Sequence, residues 1–245
     1  MSLIVKNLTG GYTKTPVIKN LNFDLKDGQL VGLIGLNGAG KSTTINHLIG
    51  FLKPQSGSIT LNDINLWKNP IDYKKQIAYV PEMPILYDEL TLKEHIELTI
   101  NAYHLESTKA WKKAKDLLKK FRLENKLEWF PANFSKGMRQ KVMIVCAFLT
   151  DAKLFIVDEP FLGLDPLAVN DLLQIINEKK KAGSMILMST HVLDTAEKYC
   201  DSYILLNNGE IEAKGTLKDF QEQFKQPNSS LNDIYLKIVK GDTHE

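Results

Sequence analysis

Gly35-Leu36-Asn37-Gly38-Ala39-Gly40-Lys41-Ser42 has the spacing G-x-x-x-x-G-K-[ST]. It stands between an apolar run and a helix-like segment, the setting this motif needs. Its glycines let the backbone fold into a nest whose N–H groups converge on phosphate oxygens. The N-terminus of the following helix adds a dipole that favours anions. Lys41 is placed to reach the β- and γ-phosphates of a nucleoside triphosphate, and Ser42 to put its hydroxyl on Mg2+. Asn37, Gly38, Ala39, Gly40 and Thr43 complete the expected phosphate contacts. A second acidic element narrows the chemistry. Leu154-Phe155-Ile156-Val157 is followed directly by Asp158 and Glu159. A strand ending there delivers Asp158 beside the metal, held through water. Glu159 is then placed to accept a proton from an attacking water.

The elements that must carry these residues follow from periodicity. Leu3 to Val5 and Val17 to Leu25 read as strands, the second with Leu21, Phe23 and Leu25 at period two. Leu30 to Ile34 is apolar on both faces and reads as a buried strand of a mostly parallel sheet. A helix is expected over 41–52, and strands over Gly57 to Leu61 and Gln76 to Val80. From Asp88 to Phe134 the pattern becomes helical, with the lysines between 112 and 120 on an expected solvated face. Further on, helices are expected over 136–150, Leu167 to Lys181 and Val192 to Cys200, with buried strands at 154–157 and Met185 to Ser189. Asn207-Asn208-Gly209 predicts a hairpin turn. A last helix aligns Leu231, Ile234, Tyr235 and Ile238.

The chain has 245 residues, enough for a substantial core. Formal net charge is +2, from 31 basic and 29 acidic residues, so bulk charge gives no case for a nucleic-acid or membrane-surface protein. Two cysteines cannot form a disulfide framework, and a reducing compartment is expected. No run approaches the length of a membrane span, and the first residues lack a signal-peptide pattern.

Together these motifs resemble the ATP-binding cassette ATPases over the whole chain. The specific mark is Asn133-Phe134-Ser135-Lys136-Gly137-Met138-Arg139-Gln140-Lys141, which is similar to that family's L-S-G-G-Q signature loop. Ser135 and Gly137 match; Phe134, Lys136 and Met138 depart. Gly163-Leu164-Asp165 resembles the loop after the acidic pair, and Ser189-Thr190-His191 resembles the switch histidine segment. Tyr12 resembles the aromatic that stacks on adenine, with Val17 beside the same nucleotide. Glu82 stands where the family usually has Gln; an oxygen there still suits a hard cation. The Val-Pro-Glu variant and the overall length further resemble Ecs-type transporter ATPases of Gram-positive bacteria.

The resemblance implies an α/β fold of the P-loop NTPase type: a RecA-like core sheet, an N-terminal antiparallel β-subdomain and a helical signature subdomain. It implies one ATPase domain over 1–245. Residues 1–87 and 151–225 are the expected catalytic core, 88–150 the helical subdomain, and 226–245 a C-terminal helix and tail. ATP and Mg2+ are the expected ligands, with Ser42, Glu82 and Asp158 toward the metal and Glu159 and His191 in catalysis. Ser135 and Gly137 would bind the γ-phosphate held by another subunit of a homodimer or heterodimer, and Asp165 would couple the two sites. The resemblance further implies a cytoplasmic protein, peripheral on the inner face of the membrane and partnered by a separate transmembrane permease. The residues from Glu82 to Leu90 are the expected docking surface, and the exporter-like ending points to export. A soluble cassette ATPase of a cluster-assembly system is the alternative. A GTPase is disfavoured because no Asn-Lys-x-Asp motif occurs.

Overall fold

Two sheets share one apolar filling, and the second of them carries the chemistry at its edge. The computed structural model describes residues 1–241. In chain order the elements are β1 (Ser2–Gly10), β2 (Ile18–Lys26), β3 (Leu30–Ile34), α1 (Lys41–Leu48), β4 (Ser56–Leu61), β5 (Ile64–Asn65), α2 (Pro70–Lys74) and β6 (Ile77–Val80). Then come α3 (Leu92–Ala102), α4 (Ser107–Phe121), α5 (Lys136–Leu149), β7 (Leu154–Asp158), α6 (Pro166–Lys181) and β8 (Met185–Thr190). The chain closes with α7 (Leu193–Tyr199), β9 (Ser202–Asn207), β10 (Glu210–Gly215), α8 (Leu217–Gln223) and α9 (Leu231–Gly241).

The smaller sheet is antiparallel, in the order β2-β1-β4-β5. The larger has the order β10-β9-β3-β8-β7-β6, parallel except for the β9–β10 hairpin. This is the P-loop NTPase arrangement with its added antiparallel sheet. Strands β3, β7 and β8 are buried along their whole length, which is why their sequences are apolar on both faces. Register aligns their ends: Ile34 pairs with Thr190, and Asp158 with Ser189. Phosphate loop, acid pair and histidine therefore emerge at one carboxyl edge, where open α/β sheets bind ligands.

One apolar cluster fills the space between the sheets, with Phe23, Leu25, Leu33, Ile45 and Ile156. A second covers the other face of the large sheet, where α3 to α6 pack and Phe148 stacks on Phe155 at 4.9 Å. Emptying a site like Phe148 by truncation to alanine costs about 3–5 kcal/mol. A third joins Ile34, Tyr203 and Phe220 to Leu231, Ile234 and Ile238 of α9. The helix starts are explicit. Thr91 and Glu94 form a reciprocal capping box for α3, and Ser135 accepts the Met138 amide to cap α5.

Two local expectations are corrected. The helix after the phosphate loop stops at Leu48, because Gly50 takes φ 76° and turns the chain. The lysine-rich face of α4 is not wholly solvated: Lys113 reaches the Thr150 carbonyl and Asp151, and Lys120 reaches Glu178. Two further short helices, α2 and α8, lie in segments to which the sequence pattern assigns no element. Among the described residues no helix is long and apolar enough to cross a membrane.

Candidate functional site

β3 delivers the chain into the phosphate loop, and α1 begins at Lys41 itself. Gly40 has φ 108°, and a Cβ there would meet Ile18 Cγ2 at 2.9 Å, so the turn accepts only glycine. Beside the loop lies a cavity of about 280 Å³. Its phosphate-loop wall is Asn37, Gly38, Gly40, Lys41, Ser42 and Thr43; Val17, Glu82, Asp158, Glu159 and His191 complete it.

Lys41 is buried, and its Nζ donates to the Gly35 carbonyl at 2.8 Å and the Leu36 carbonyl at 3.2 Å. Burial lowers its pKa, while the carboxylates of Glu159, Asp158 and Glu82 oppose that shift. Asp158 is buried at the end of β7, and burial raises its pKa. The Ser189 hydroxyl donates to Asp158 Oδ1 and opposes the rise, while Glu82 and Glu159 add to it. Burial pushes the phenol of Tyr79 on β6 up, and the nearby charge of Asp158 adds to that shift. Glu159 takes φ 45°, a left-handed conformation unusual for a residue with a side chain. Its amide donates to the carbonyl and hydroxyl of Ser189 at 3.2 and 3.0 Å. Its Oε1 lies 2.8 Å from His191 Nδ1.

The donor set suits Mg2+. Ser42, Glu82 and Asp158 offer hard oxygens to the same cavity. Among the described residues no group of three or more His, Cys, Asp and Glu could hold a metal alone. A divalent ion here therefore shares its shell with water and phosphate oxygens, as Mg2+ does beside a nucleotide.

The other expected residues lie elsewhere. Tyr12 stands 61% exposed after β1, its hydroxyl accepting from Asn46 Nδ2 at 3.1 Å, and does not line the cavity. Ala39 turns its side chain into the core, and its amide donates to the Leu36 carbonyl. Ser135 and Asp165 are exposed, outside the cavity lining, each capping a helix. Gly137 sits against the loop that follows Glu159: a Cβ there would lie 2.5 Å from the Gly163 carbonyl oxygen. Asp165 also pairs with Lys141 at 2.7 Å, and that hydrogen bond holds its carboxyl at about 2, helped by the Ala168 amide.

Sequence reasoning did not single out Ser189, Tyr79 or Lys141 as site residues. A usable signal existed for Ser189, a hydroxyl residue closing an otherwise apolar buried strand.

A phosphate loop, a strand-borne acid pair and a histidine around one cavity define a nucleoside triphosphatase. The comparisons narrow the class. The ABC transporter family model matches residues 18–162. The ABC-type transporter ATP-binding protein EcsA of Bacillus subtilis (strain 168) is 58% identical over 247 residues, covering 100% of both chains. A solved ATP-binding subunit of an ABC transporter superposes with a TM-score of 0.95 at 52% identity, covering 98% of this chain and 100% of that one. A dimeric ATP-binding cassette in a post-hydrolysis state, bound to ADP and Pi, matches with a TM-score of 0.79 at 26% identity, covering 88% and 98%. The chain belongs to the ABC transporter family. It is an ATP-binding subunit and an ATPase that works with Mg2+, of a kind that dimerises and pairs with transmembrane components.

Proposed function

We propose that this subunit drives an exporter, sitting on the inner face of the cell membrane against a separate permease. The whole of 1–245 is read as one ATPase domain. Residues 1–87 and 151–225 form the catalytic core with its β-subdomain, and 88–150 the helical arm. Residues 226–245 form the C-terminal helix and tail, of which 242–245 lie outside the described residues. One observation carries the reading: segments at 17, 37–43, 82, 158–159 and 191 meet around a single cavity.

In that cavity Lys41 and the loop amides of Asn37, Gly38 and Gly40 hold the phosphates. Val17 lines the cavity toward the nucleoside end, and Tyr12, exposed outside that lining, is the aromatic proposed to stack on the base. Ser42, Asp158 and Glu82 would hold Mg2+, which when bound neutralises charge on the phosphate oxygens. Glu159 takes a proton from the attacking water, and His191, hydrogen-bonded to Glu159, steadies the base and contacts the γ-phosphate. Ser135 and Gly137 close on nucleotide held by a second ATPase subunit, the same chain or a homologue. Asp165 links the two sites. The exposed placement of Ser135 and Asp165 supports this division of labour.

The permease surface is assigned to the segment after Glu82. Met83, Ile85 and Tyr87 are 56%, 69% and 62% exposed, an apolar group beside the cavity. Export is supported by the α9 ending, and the relatives named above are transporter subunits, which gives the cluster-assembly alternative no footing. Mild-detergent extraction of membranes tests the assignment. Affinity purification should recover a polytopic membrane protein, and Met83→Glu with Ile85→Glu should release it. Recovery without any membrane protein would count against a transporter role.

A further inference from the structure

Ser189 lies in β8, two residues before His191, and has no exposed surface. In register it stands opposite Asp158. Its hydroxyl serves two acids at once. It donates to Asp158 Oδ1 and accepts the Glu159 amide at 3.0 Å, while its own carbonyl accepts the same amide at 3.2 Å. A hydroxyl has one proton to give, so this pattern commits that proton to the carboxylate. Glu159 meanwhile holds φ 45°. A glutamate keeps such a conformation only where its surroundings over-determine it, and the two bonds to Ser189 meet that demand.

We infer that Ser189 is a positioning residue of the hydrolytic site, fixing the metal-side carboxylate of Asp158 and the backbone that aims Glu159, and tying both acids to the strand that carries His191. This rests on the proposed roles of Asp158 and Glu159. A serine that merely filled space would be replaceable by an apolar side chain of similar volume. A serine that orients two acids is not, because losing the hydroxyl frees Asp158 to turn and removes one of two restraints on Glu159. The phosphate loop is untouched, so the loss falls on turnover and on the metal, not on the nucleotide's phosphate grip.

The test uses the full-length protein with ATP, ADP, Mg2+ and Mn2+. Ser189→Ala is expected to lower kcat by about 10- to 100-fold, as loss of a supporting hydrogen bond to a metal-side ligand typically does. Mn2+ binding in the presence of ADP, read by electron paramagnetic resonance, should weaken, while ATP binding in EDTA holds. If the alanine variant fails to fold, Ser189→Thr and Ser189→Val decide, since they share a shape and differ in the hydroxyl. Turnover and Mn2+ binding well below the threonine variant in the valine variant support the inference. Equal values in that pair, or wild-type kcat and Mn2+ binding in a folded Ser189→Ala, overturn it. Glu159→Gln run alongside keeps the two readings apart. If it still turns over, the acid roles are wrong; if it is silent while threonine and valine match, only the role of Ser189 falls.

Discussion

The region around the cavity and the region proposed to close on a partner's nucleotide are built in opposite ways. Around Lys41 the lysine and both acids are already engaged inside the subunit: Lys41 with its own loop, Asp158 with Ser189, Glu159 with His191. Around Ser135 the groups face outward, and their bonds within the subunit are helix caps and one ion pair at Asp165. The first region is a preorganised site, in which orientation is fixed before substrate arrives. The second is a helix N-terminus on the surface, an anion site needing a ligand brought by something else. On the proposed reading, each chain holds one nucleotide cavity and, on another face, the groups that close on its partner's nucleotide, so hydrolysis would need two subunits.

Four measurements break or sharpen that contrast. The largest effect is expected from Glu159→Gln, which removes the base. Turnover should fall by about 10²–10⁴-fold, while ATP binding persists and a dimer accumulates in size-exclusion chromatography. Near wild-type hydrolysis would show that the preorganised region does not hold the base. Next is Lys41→Ala, which should weaken ATP binding in calorimetry by about 1.5–3 kcal/mol, the range for hydrogen bonds to charged groups. Third is Gly137→Ala. The added methyl meets the Gly163 carbonyl at 2.5 Å, and overpacking of this kind costs about 1–3 kcal/mol of stability. ATP binding to the monomer should survive while dimer-dependent turnover drops. If monomer binding falls as in Lys41→Ala, the two regions are not separate.

The smallest effect is a pH dependence in the outward region. Asp165 is held at about 2 in the folded chain, chiefly by Lys141. Its ionised form is therefore favoured by folding. That contribution is complete above the ordinary carboxylate range and is lost as pH falls toward about 2. The pair is half-exposed on the aspartate side, so the contribution is below about 1 kcal/mol. Acid unfolding of Asp165→Asn against wild type should show that difference shrinking between pH 4 and 2.

How far the molecule was legible in its sequence follows the same division. The pocket side was readable because a spacing rule fixes it: strand, glycine loop, helix, then a strand ending in two acids. Its supporting bonds were not. Ser189 meets Asp158 across a parallel strand pair whose register no local pattern reveals. The lysines of α4 misled for a similar reason, since Thr150, Asp151 and Glu178 approach Lys113 and Lys120 from distant segments. α8 carried a readable signal in its Thr216–Asp219 capping box, whereas α2 is five residues long, too short for a periodic pattern, and buries a single side chain, Tyr73.

One fastening on α5 has a mechanical consequence. In its first turns this helix is tied at three points. Gly137 is wedged against Gly163, Gln140 Nε2 holds the Pro81 carbonyl at 3.1 Å, and Lys141 holds Asp165. The residue after Pro81 begins the segment assigned to the permease; Gly163 and Asp165 follow the hydrolytic base. If the permease docks at Met83–Tyr87 as proposed, α5 is the element through which a push there would reach the loop beyond Glu159, with Ser135 at its outer tip.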